Sequence, residues 1–501
     1  MLVRREYQTR GLRDIRLALR DFRRVLYQLP TGAGKSVILG DIASGVARGG
    51  RRIGIVVPSR PLLTQMSEKL TEWNTPHGMI ASGFTPSPRE LIQVLTVQTL
   101  HRRLGTISPF DFLLFDEAHH CCAASYIEIL AAHPEAWVVG VTATPSRLDW
   151  RGLGRVFGSL ICGPTVAELT EAGYLVPALV YTPDAVDMSG LHTKMGEYVT
   201  AEAEERINKP SITGSAVDHY RRITPGKRAI AFCISIKHSQ DVAAEFSASG
   251  IPAAHIDGTM DRHVLGGILG KFGRGEILVL TNCALVSEGF DVPAVEVCIM
   301  LRPTLSLALY LQMVGRVLRP SPGKTQAVIF DHVKNSFYNL DGDLRAKHGF
   351  PDDDREWSLE GGVKKRAKSA EEIALPFKRC PKCSATYKPF VTKCTAQLPP
   401  DSHICGYVFE SVGRSEIERV EGELKPITHD DVGKSPQQRK KIVDLPVILA
   451  RNQGREALDA IARERGYKPG WVDHQMKFAK PRAGRPDLDP GYWEAIEKDA
   501  R

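Results

Sequence analysis

Residues 29–36 carry the first pattern that could do chemistry, Leu-Pro-Thr-Gly-Ala-Gly-Lys-Ser. Glycines in such a loop allow backbone conformations that turn N–H groups inward, where they can surround phosphate oxygens. A lysine at the end of the loop reaches terminal phosphates, and the next hydroxyl is a ligand for Mg²⁺. The stricter form of this pattern has glycine where this chain has Leu29. The residues predicted to hold the phosphates and the cation are Thr31, Gly32, Ala33, Gly34, Lys35 and Ser36.

Two adjacent carboxylates, Asp116 and Glu117, follow the apolar run Phe-Leu-Leu-Phe at 112–115. Such a run predicts a buried strand, and ligands bind beyond the carboxyl ends of strands in open α/β sheets. There Asp116 could hold Mg²⁺ while Glu117 orients and activates an attacking water. A pair of this kind is also common in solvated turns. The phosphate-binding loop upstream favours the catalytic interpretation.

Four cysteines form a third pattern, C-x₂-C-x₁₀-C-x₁₀-C, made by Cys380, Cys383, Cys394 and Cys405. Four thiolates in one short window predict a tetrahedral structural Zn²⁺ site. His403 is a competing ligand, and four reduced free cysteines are the alternative interpretation. Ten cysteines in 501 residues are far too few for a disulfide scaffold.

The elements that must position these residues follow an alternating pattern. From about residue 24 to 160, short runs rich in Val, Ile and Leu alternate with amphipathic segments, and the same alternation restarts near residue 228. Strand–helix–strand alternation predicts parallel sheets covered by helices, so the expected fold class is α/β with two tandem domains. Residues 91–100 are predicted as one of the strands.

The composition changes along the chain divide it further. A charged linker, the cysteine window and a basic tail of helical periodicity follow the second α/β domain. The predicted divisions are a first domain at 1–165, a connector at 166–215, a second domain at 216–335, a linker at 336–375, a zinc module at 376–412 and a basic helical region at 413–501.

The overall charge and hydropathy limit the class of protein. Lys and Arg outnumber Asp and Glu by 66 to 58, so the net charge is +8, which fits a polyanionic partner without requiring one. No apolar run approaches the roughly 18 residues of a membrane span, and the arginine-rich N-terminus lacks a signal-peptide core. An intracellular multidomain protein is expected.

Together the motifs resemble a known family. The phosphate-binding loop, Asp-Glu-Ala-His at 116–119 and Thr-Ala-Thr-Pro at 142–145 are followed by 281–293 and by Gln-Met-Val-Gly-Arg-Val-Leu-Arg-Pro at 312–320. Their order resembles that of the superfamily 2 DEAD/DEAH-box helicases and translocases. The run at 288–324 and the cysteine module are most similar to the RadD-type helicases of bacteria and phages.

The resemblance implies two RecA-like domains with ATP and Mg²⁺ in the cleft between them. In such a site Gln8 recognises adenine, Gly289 and Asp291 face the nucleotide from the second domain, and Gln312 orders that side. The arginine fingers that stabilise the transferred phosphoryl group would be Arg316 and Arg319. The residues implied to couple the nucleotide state to nucleic acid are His119, Thr142 and Thr144.

The resemblance also implies that nucleic acid crosses both domains. Arg60, Thr99 and Thr281 are the expected backbone contacts, and Lys378, Arg379, Lys382 and Lys388 of the zinc module are expected to add phosphate contacts. DNA is the expected substrate from the family likeness, with replication or repair proteins as possible partners in the cytoplasm of a bacterial or phage-infected cell. Two alternatives stay open, an ATP-controlled nucleic-acid binder that does not unwind and the motor subunit of a larger complex.

Overall fold

A computed structural model describes residues 4–84, 87–145, 152–182, 191–194, 197–283, 295–340, 343–360, 377–399 and 403–409, with Arg455, Asp459, Arg463 and Val472 of the tail. Residues 1–411 form one compact unit, and residues 412–501 form a second. Both sheets and the cysteine module belong to the first unit. The helical tail predicted at 413–501 lies outside the described residues except for those four, which are all helical. The described residues include no helix long and apolar enough to cross a membrane.

The first α/β domain is built from buried apolar strands with amphipathic helices packed on them. Its strands are β1 (Arg24–Gln28), β2 (Ile53–Val57), β3 (Gly78–Ile80), β4 (Ile92–Thr96), β5 (Phe112–Phe115), β6 (Trp137–Thr142) and β7 (Ser159–Cys162). Its helices are α1 (Glu6–Asp21), α2 (Lys35–Arg48), α3 (Arg60–Glu72), α4 (Val97–Arg102) and α5 (Ala124–Ala132), and α6 (Val166–Glu171) follows.

These strands form one parallel sheet in the order β3-β4-β2-β5-β6-β1-β7. The strands β5, β6 and β1 are neighbours, so their carboxyl ends bring residues after 28, 115 and 142 to one edge. The strand predicted at 91–100 is correct only as far as Thr96. Val97–Arg102 is helical, because Thr96 accepts a hydrogen bond from the Thr99 amide and caps α4.

The second domain repeats this architecture. Its strands are β8 (Ala178–Tyr181), β11 (Ala229–Phe232), β12 (Ala253–Asp257), β13 (Val279–Cys283), β14 (Val297–Met300) and β15 (Ala327–Asp331). Its helices are α7 (Thr200–Ile207), α8 (Pro210–Ile223), α9 (Ile236–Ala248), α10 (Arg262–Gly273) and α11 (Leu307–Gly315). Small hairpins are formed by β9 (Thr193–Lys194) with β10 (Glu197–Tyr198) and by β16 (Phe337–Leu340) with β17 (Asp343–Ala346).

The second sheet recruits strands from outside the range predicted for its domain. The cysteine module contributes β18 (Lys378–Arg379) and β19 (Ala385–Tyr387), and its other hairpin is β20 (Gln397–Leu398) with β21 (His403–Ile404). The sheet order is β12-β13-β11-β14-β15-β8-β19-β18, so β8 from the predicted connector lies between β15 and β19. The module is therefore an edge of the second domain, joined by antiparallel pairing of β19 with β8.

The segment predicted as a linker at 336–375 is folded in its described part. After the β16–β17 hairpin, the Arg355 guanidinium donates to the carbonyls of His348, Phe350, Pro351 and Asp353. The chain then reaches the first domain, where Leu359 packs against the core and its carbonyl accepts from the Gly154 amide at 2.8 Å. Residues 348–360 consequently connect the two domains.

Candidate active site

The phosphate-binding loop lies between β1 and α2, as the sequence predicts. Gly32 and Gly34 have φ angles of 87° and 84°, a left-handed conformation that other residues adopt only at a cost. Gly34 is also the residue that precedes α2, so the first amides of that helix open onto the loop. A helix N-terminus with free N–H groups favours phosphate. The local geometry suits a bound nucleotide.

Two side chains from α1 support this loop from behind. The Tyr7 hydroxyl and the Gln8 amide both donate to the Ala33 carbonyl, at 2.7 and 3.2 Å. The Gln8 side-chain oxygen accepts from the Arg5 amide at 2.9 Å. Gln8 is therefore next to the nucleotide site and holds the loop in shape. Its recognition of adenine stays a prediction.

The two carboxylates face the loop from the end of β5. Glu117 has a φ of 46°, which is uncommon for a residue with a side chain and costs about 1–3 kcal/mol. In this conformation one carboxylate oxygen of Glu117 lies 3.6 Å from Lys35 Nζ and the other lies 3.4 Å from His119 Nδ1. Strain at a position that contacts an ammonium group and an imidazole is typical of a functional site.

The surroundings shift the pKa values of Asp116 and Glu117 in opposite directions. Burial, followed by the charge of Glu117, raises the pKa of Asp116 to about 6. Burial alone would raise the pKa of Glu117 as well, but Lys35, His119 and Arg316 together outweigh it and lower that pKa. Glu117 is consequently ionised. A divalent cation at Asp116 would replace the proton that burial favours there, and oxygen ligands such as Asp116 and the Ser36 hydroxyl suit Mg²⁺.

Lys69 also lies at the phosphate-binding loop, although the sequence does not indicate it. It lies on α3, its Nζ contacts the Ser36 hydroxyl at 3.3 Å, and burial lowers its pKa. The charges of Asp116, Arg316 and Arg319 also act on it. No motif marks a lysine in the last turn of an amphipathic helix, so only the packing of α3 against the loop reveals this second cation.

His119, Thr142 and Thr144 form a hydrogen-bonded group between β5 and β6. His119 Nδ1 and the Thr142 hydroxyl are 3.1 Å apart, and the same hydroxyl donates to the Thr144 carbonyl at 3.2 Å. Thr142 and Thr144 are fully buried. Because His119 also contacts Glu117, these bonds connect the acid to the end of β6.

The second domain approaches the phosphate-binding loop through α11 and the residues after it. An added Cβ on Gly32 would lie 3.3 Å from Arg319 Cγ, and one on Gly315 would lie 2.5 Å from Thr31 Cβ. Gln312 is buried on the same helix, and burial lowers the pKa of Arg319. The cleft therefore brings Arg316 and Arg319 to the side of Lys35 and Glu117. Gly289 and Asp291 lie outside the described residues.

Gly315→Ala is expected to lower ATP turnover between about 10- and 100-fold. The added methyl group would overlap Thr31, so the second domain would have to move away from the phosphate-binding loop. Steady-state hydrolysis measured beside Gly266→Ala checks this, because a Cβ on Gly266 meets nothing within 4 Å. Wild-type turnover in Gly315→Ala would contradict the close approach of the domains.

The predicted nucleic-acid contacts divide into two groups. Arg60 opens α3 after β2, and Thr99 lies in α4 after β4, so both are at carboxyl ends of neighbouring strands. Arg60 is exposed and donates to the Ser82 carbonyl at 2.7 Å. Thr281 is different, because it is fully buried and its hydroxyl donates to the Ser239 carbonyl at 2.7 Å. A phosphate contact by the Thr281 side chain does not fit this arrangement.

The four cysteines converge, as predicted. Their sulfur atoms all lie within 4.8 Å of one another, with 3.8 Å between Cys380 and Cys405 and 3.4 Å between Cys383 and Cys394. Tetrahedral bonds of about 2.3 Å place sulfurs roughly 3.8 Å apart, whereas a disulfide needs about 2.05 Å. The donor set and its geometry therefore fit zinc, and the exposed His403 is not part of the cluster.

The basic residues of the module make ion pairs, hydrogen bonds or ring contacts with other residues of the protein. Lys388 pairs with Asp352 at 2.9 Å, Arg379 donates to the Thr182 carbonyl, and Lys382 donates to the Cys405 carbonyl at 3.4 Å. Lys378 lies over the Phe409 ring. Lys388 and Arg379 attach the module to the segment at 348–360 and to the second domain, whereas Lys382 and Lys378 make their contacts within the module. Phosphate contacts by these four residues stay a prediction.

Comparison with known proteins agrees with this geometry. The family "Type III restriction enzyme, res subunit" matches residues 1–147, and "Helicase conserved C-terminal domain" matches residues 214–321. A 51.5 kDa protein of a Lactococcus phage is 32% identical over 81% of this chain and 83% of its own length. The DNA 3'-5' translocase XPB2 of Sulfurisphaera tokodaii is 24% identical over 63% of this chain and 78% of its own length.

Among solved structures, a fragment assigned as the HsdR subunit of a type I restriction enzyme from Vibrio vulnificus shares the fold. Its TM-score is 0.53 at 22% identity, over 66% of this chain and 64% of the fragment. The paired sheets, the phosphate-binding loop opposite Arg316 and Arg319, and the two family matches lead to one assignment. The chain belongs to the superfamily 2 helicases and is an ATP hydrolase of the helicase or translocase type.

Proposed function

We propose that this protein moves along DNA by hydrolysing ATP in the cleft between its two α/β domains. The observation that carries the proposal is the position of Lys35 and Glu117 opposite α11 and the arginines after it. A group bound between two domains can favour their closure, and hydrolysis can release it, so nucleic acid held by both domains is moved stepwise. DNA is favoured over RNA because a relative is a DNA translocase.

The residues divide the work of hydrolysis. Lys35 and the loop amides hold the terminal phosphates, and Glu117, kept ionised by its neighbours, accepts a hydrogen bond from the attacking water and orients it. Mg²⁺, held by Ser36 and Asp116, would neutralise charge on the phosphates. Arg316 and Arg319 donate to the transferred phosphoryl group, whose charge grows in the transition state.

The coupling of hydrolysis to DNA is assigned to His119, Thr142 and Thr144. Their hydrogen bonds run from Glu117 to the end of β6, so a change at the acid reaches the backbone at Thr144. Arg60 and Thr99 are proposed to contact the DNA backbone, because they share the carboxyl edge of the first sheet with the nucleotide site. Such contacts hold a strand without reading its sequence.

A motor subunit of a larger complex is the second candidate. It is favoured by the match of residues 1–147 to the res subunit of type III restriction enzymes, since that protein is named as one subunit of an enzyme. The phage relative supports a role in a bacterial or phage-infected cell, where replication or repair proteins would be the partners. In this case translocation would occur without strand separation.

One set of assays separates these functions. ATPase rates are measured with single-stranded, duplex and forked DNA and with the matching RNAs, and strand displacement is followed on the forks. Stimulation by DNA together with displacement supports the helicase. Translocation on duplex DNA without displacement supports the motor subunit, and equal stimulation by RNA would remove the preference for DNA.

We also propose that Cys380, Cys383, Cys394 and Cys405 hold one structural Zn²⁺. Their converging sulfurs support it, as do the turns after Cys383 and Cys405, where Ser384 and Gly406 both have a φ of 66°. The module has few apolar side chains of its own, so metal bonds would supply much of its stability. Because β19 pairs with β8, the metal would also stabilise the edge of the second sheet.

Cys383→Ser is expected to lose the zinc and to lower the melting temperature by several degrees. The remaining thiolates cannot complete a tetrahedral site, so the pairing of β19 with β8 loosens. Elemental analysis and thermal unfolding are compared with Cys162→Ser, a cysteine outside the cluster. Wild-type protein purified without chelators and found free of zinc would contradict the site.

A further inference from the structure

The residues that follow α11 carry both proposed arginine fingers without belonging to a described helix or strand. Residues 316–320 form a turn and an irregular stretch, so their positions depend on outside contacts. The Val176 amide donates to the Leu318 carbonyl at 2.9 Å. Lys324 Nζ donates to the carbonyls of Val317 and Arg319, at 2.5 and 2.8 Å. One buried ammonium thus holds the backbone of the segment from both sides of Leu318.

The local sequence explains how Lys324 returns to this segment. Ser321, Pro322, Gly323 and Lys324 form a tight turn in which the Lys324 amide donates to the Ser321 carbonyl at 3.0 Å. Gly323 has a φ of 77°, and proline before such a glycine is typical of a type II turn. The turn reverses the chain, and the side chain of Lys324 points back beneath Val317 and Arg319.

A third bond extends the contact to another part of the domain. Lys324 Nζ donates to the Val295 carbonyl at 2.6 Å, just before β14. The three protons of the ammonium therefore meet three carbonyls, which satisfies a group that is costly to bury. Burial lowers the pKa of Lys324 to about 8. The positive charges of Arg319 and Lys227 lower this pKa further, whereas the negative charge of Glu296 raises it. A buried ammonium that donates to three carbonyls can fix the positions of the backbone segments that carry them.

We propose that Lys324 is a positioning residue for ATP hydrolysis, which fixes the backbone of residues 317–319 so that Arg316 and Arg319 meet the transition state. This inference rests on the proposed roles of those two arginines. Lys324 acts through the arginines and touches no substrate. Its loss should therefore weaken binding of the transition state more than binding of the nucleotide itself.

The test compares Lys324→Met, which keeps the length and removes the donors, with Lys324→Arg, which keeps the charge. Lys324→Met is expected to lower kcat about 10- to 100-fold with less than about a threefold change in KM for ATP. Its affinity for ADP with aluminium fluoride should fall at least tenfold, while affinity for ADP stays within about threefold. Lys324→Arg should recover part of kcat. Lys271→Met, an exposed lysine on α10, is the matched control.

Each outcome decides one point. An unchanged kcat in Lys324→Met, or an equal loss of affinity for ADP and for ADP with aluminium fluoride, overturns the positioning role. Lys324→Gln, which keeps one donor pair, replaces the methionine variant where that protein does not fold, with the same two affinities measured. Arg319→Ala is included to test the arginine-finger role separately from the positioning role of Lys324. Full hydrolysis by Arg319→Ala refutes the arginine finger, whereas an inactive Arg319→Ala beside a fully active Lys324→Met refutes only the inference about Lys324.

Discussion

Glu117→Gln protein is expected to bind ATP as the wild type does and to hydrolyse it at least about 10³-fold more slowly. Glutamine has nearly the same shape, but it cannot act as the ionised acceptor that Lys35 and His119 maintain at this position. Loss of the charge also removes the partner of Lys35 Nζ, so phosphate binding should be retained or strengthened. Nucleotide binding by fluorescence titration and single-turnover hydrolysis give the two values separately.

Lys35→Ala and Glu128→Gln complete that experiment. Lys35→Ala should lose nucleotide affinity as well as turnover, because the lysine holds phosphate in the ground state. Glu128 is an exposed glutamate on α5 that pairs with His101, so Glu128→Gln should behave as the wild type. If Glu117→Gln turned over ATP at the wild-type rate, the catalytic assignment of the acidic pair would be wrong.

The sequence is enough to bring the residues proposed for the nucleotide site together, because each of them lies in a local motif. The loop at 29–36 lies between a predicted strand and a predicted helix, and Asp116 and Glu117 directly follow a buried strand. In a parallel sheet, the carboxyl ends of strands lie at one edge, so correct strands are enough to bring these residues together. The α/β class and the tandem arrangement of the domains are confirmed for the same reason.

Contacts between distant, short segments could not be predicted in this way. The strand β8 has only four residues, and its partners β15 and β19 are separated from it by more than a hundred residues of chain. Strands of that length have no periodicity that marks their sheet, so the sequence predicts a connector at 166–215 and a separate zinc module at 376–412. Pairing across the sheet edge depends on tertiary packing.

Single buried cations were missed for a related reason. Lys69 and Lys324 lie in ordinary surroundings in sequence, and only the fold brings them to Ser36 and to the arginine segment. The turn signal Ser-Pro-Gly at 321–323 was present before Lys324, and it predicts that the chain reverses there. It does not predict which carbonyls the reversed lysine would meet.

Among residues of the second domain, Arg316 is the one whose loss is expected to reduce ATP turnover most. Arg316→Ala is expected to fold normally and to lose about 10³-fold or more of its DNA-stimulated hydrolysis, because an arginine finger acts on charge that develops in the transition state. The charge of Arg316 already reaches Glu117, whose pKa it helps to lower, so the arginine is on the side of the reacting groups.

Turnover and thermal unfolding are measured beside Arg274→Ala, an exposed arginine that pairs with Glu276. A normal melting temperature with lost hydrolysis would support the cleft as the catalytic site. DNA-stimulated hydrolysis at the wild-type rate would mean that the first domain works without the second, and the proposed coupling of hydrolysis to movement between the domains would then fail.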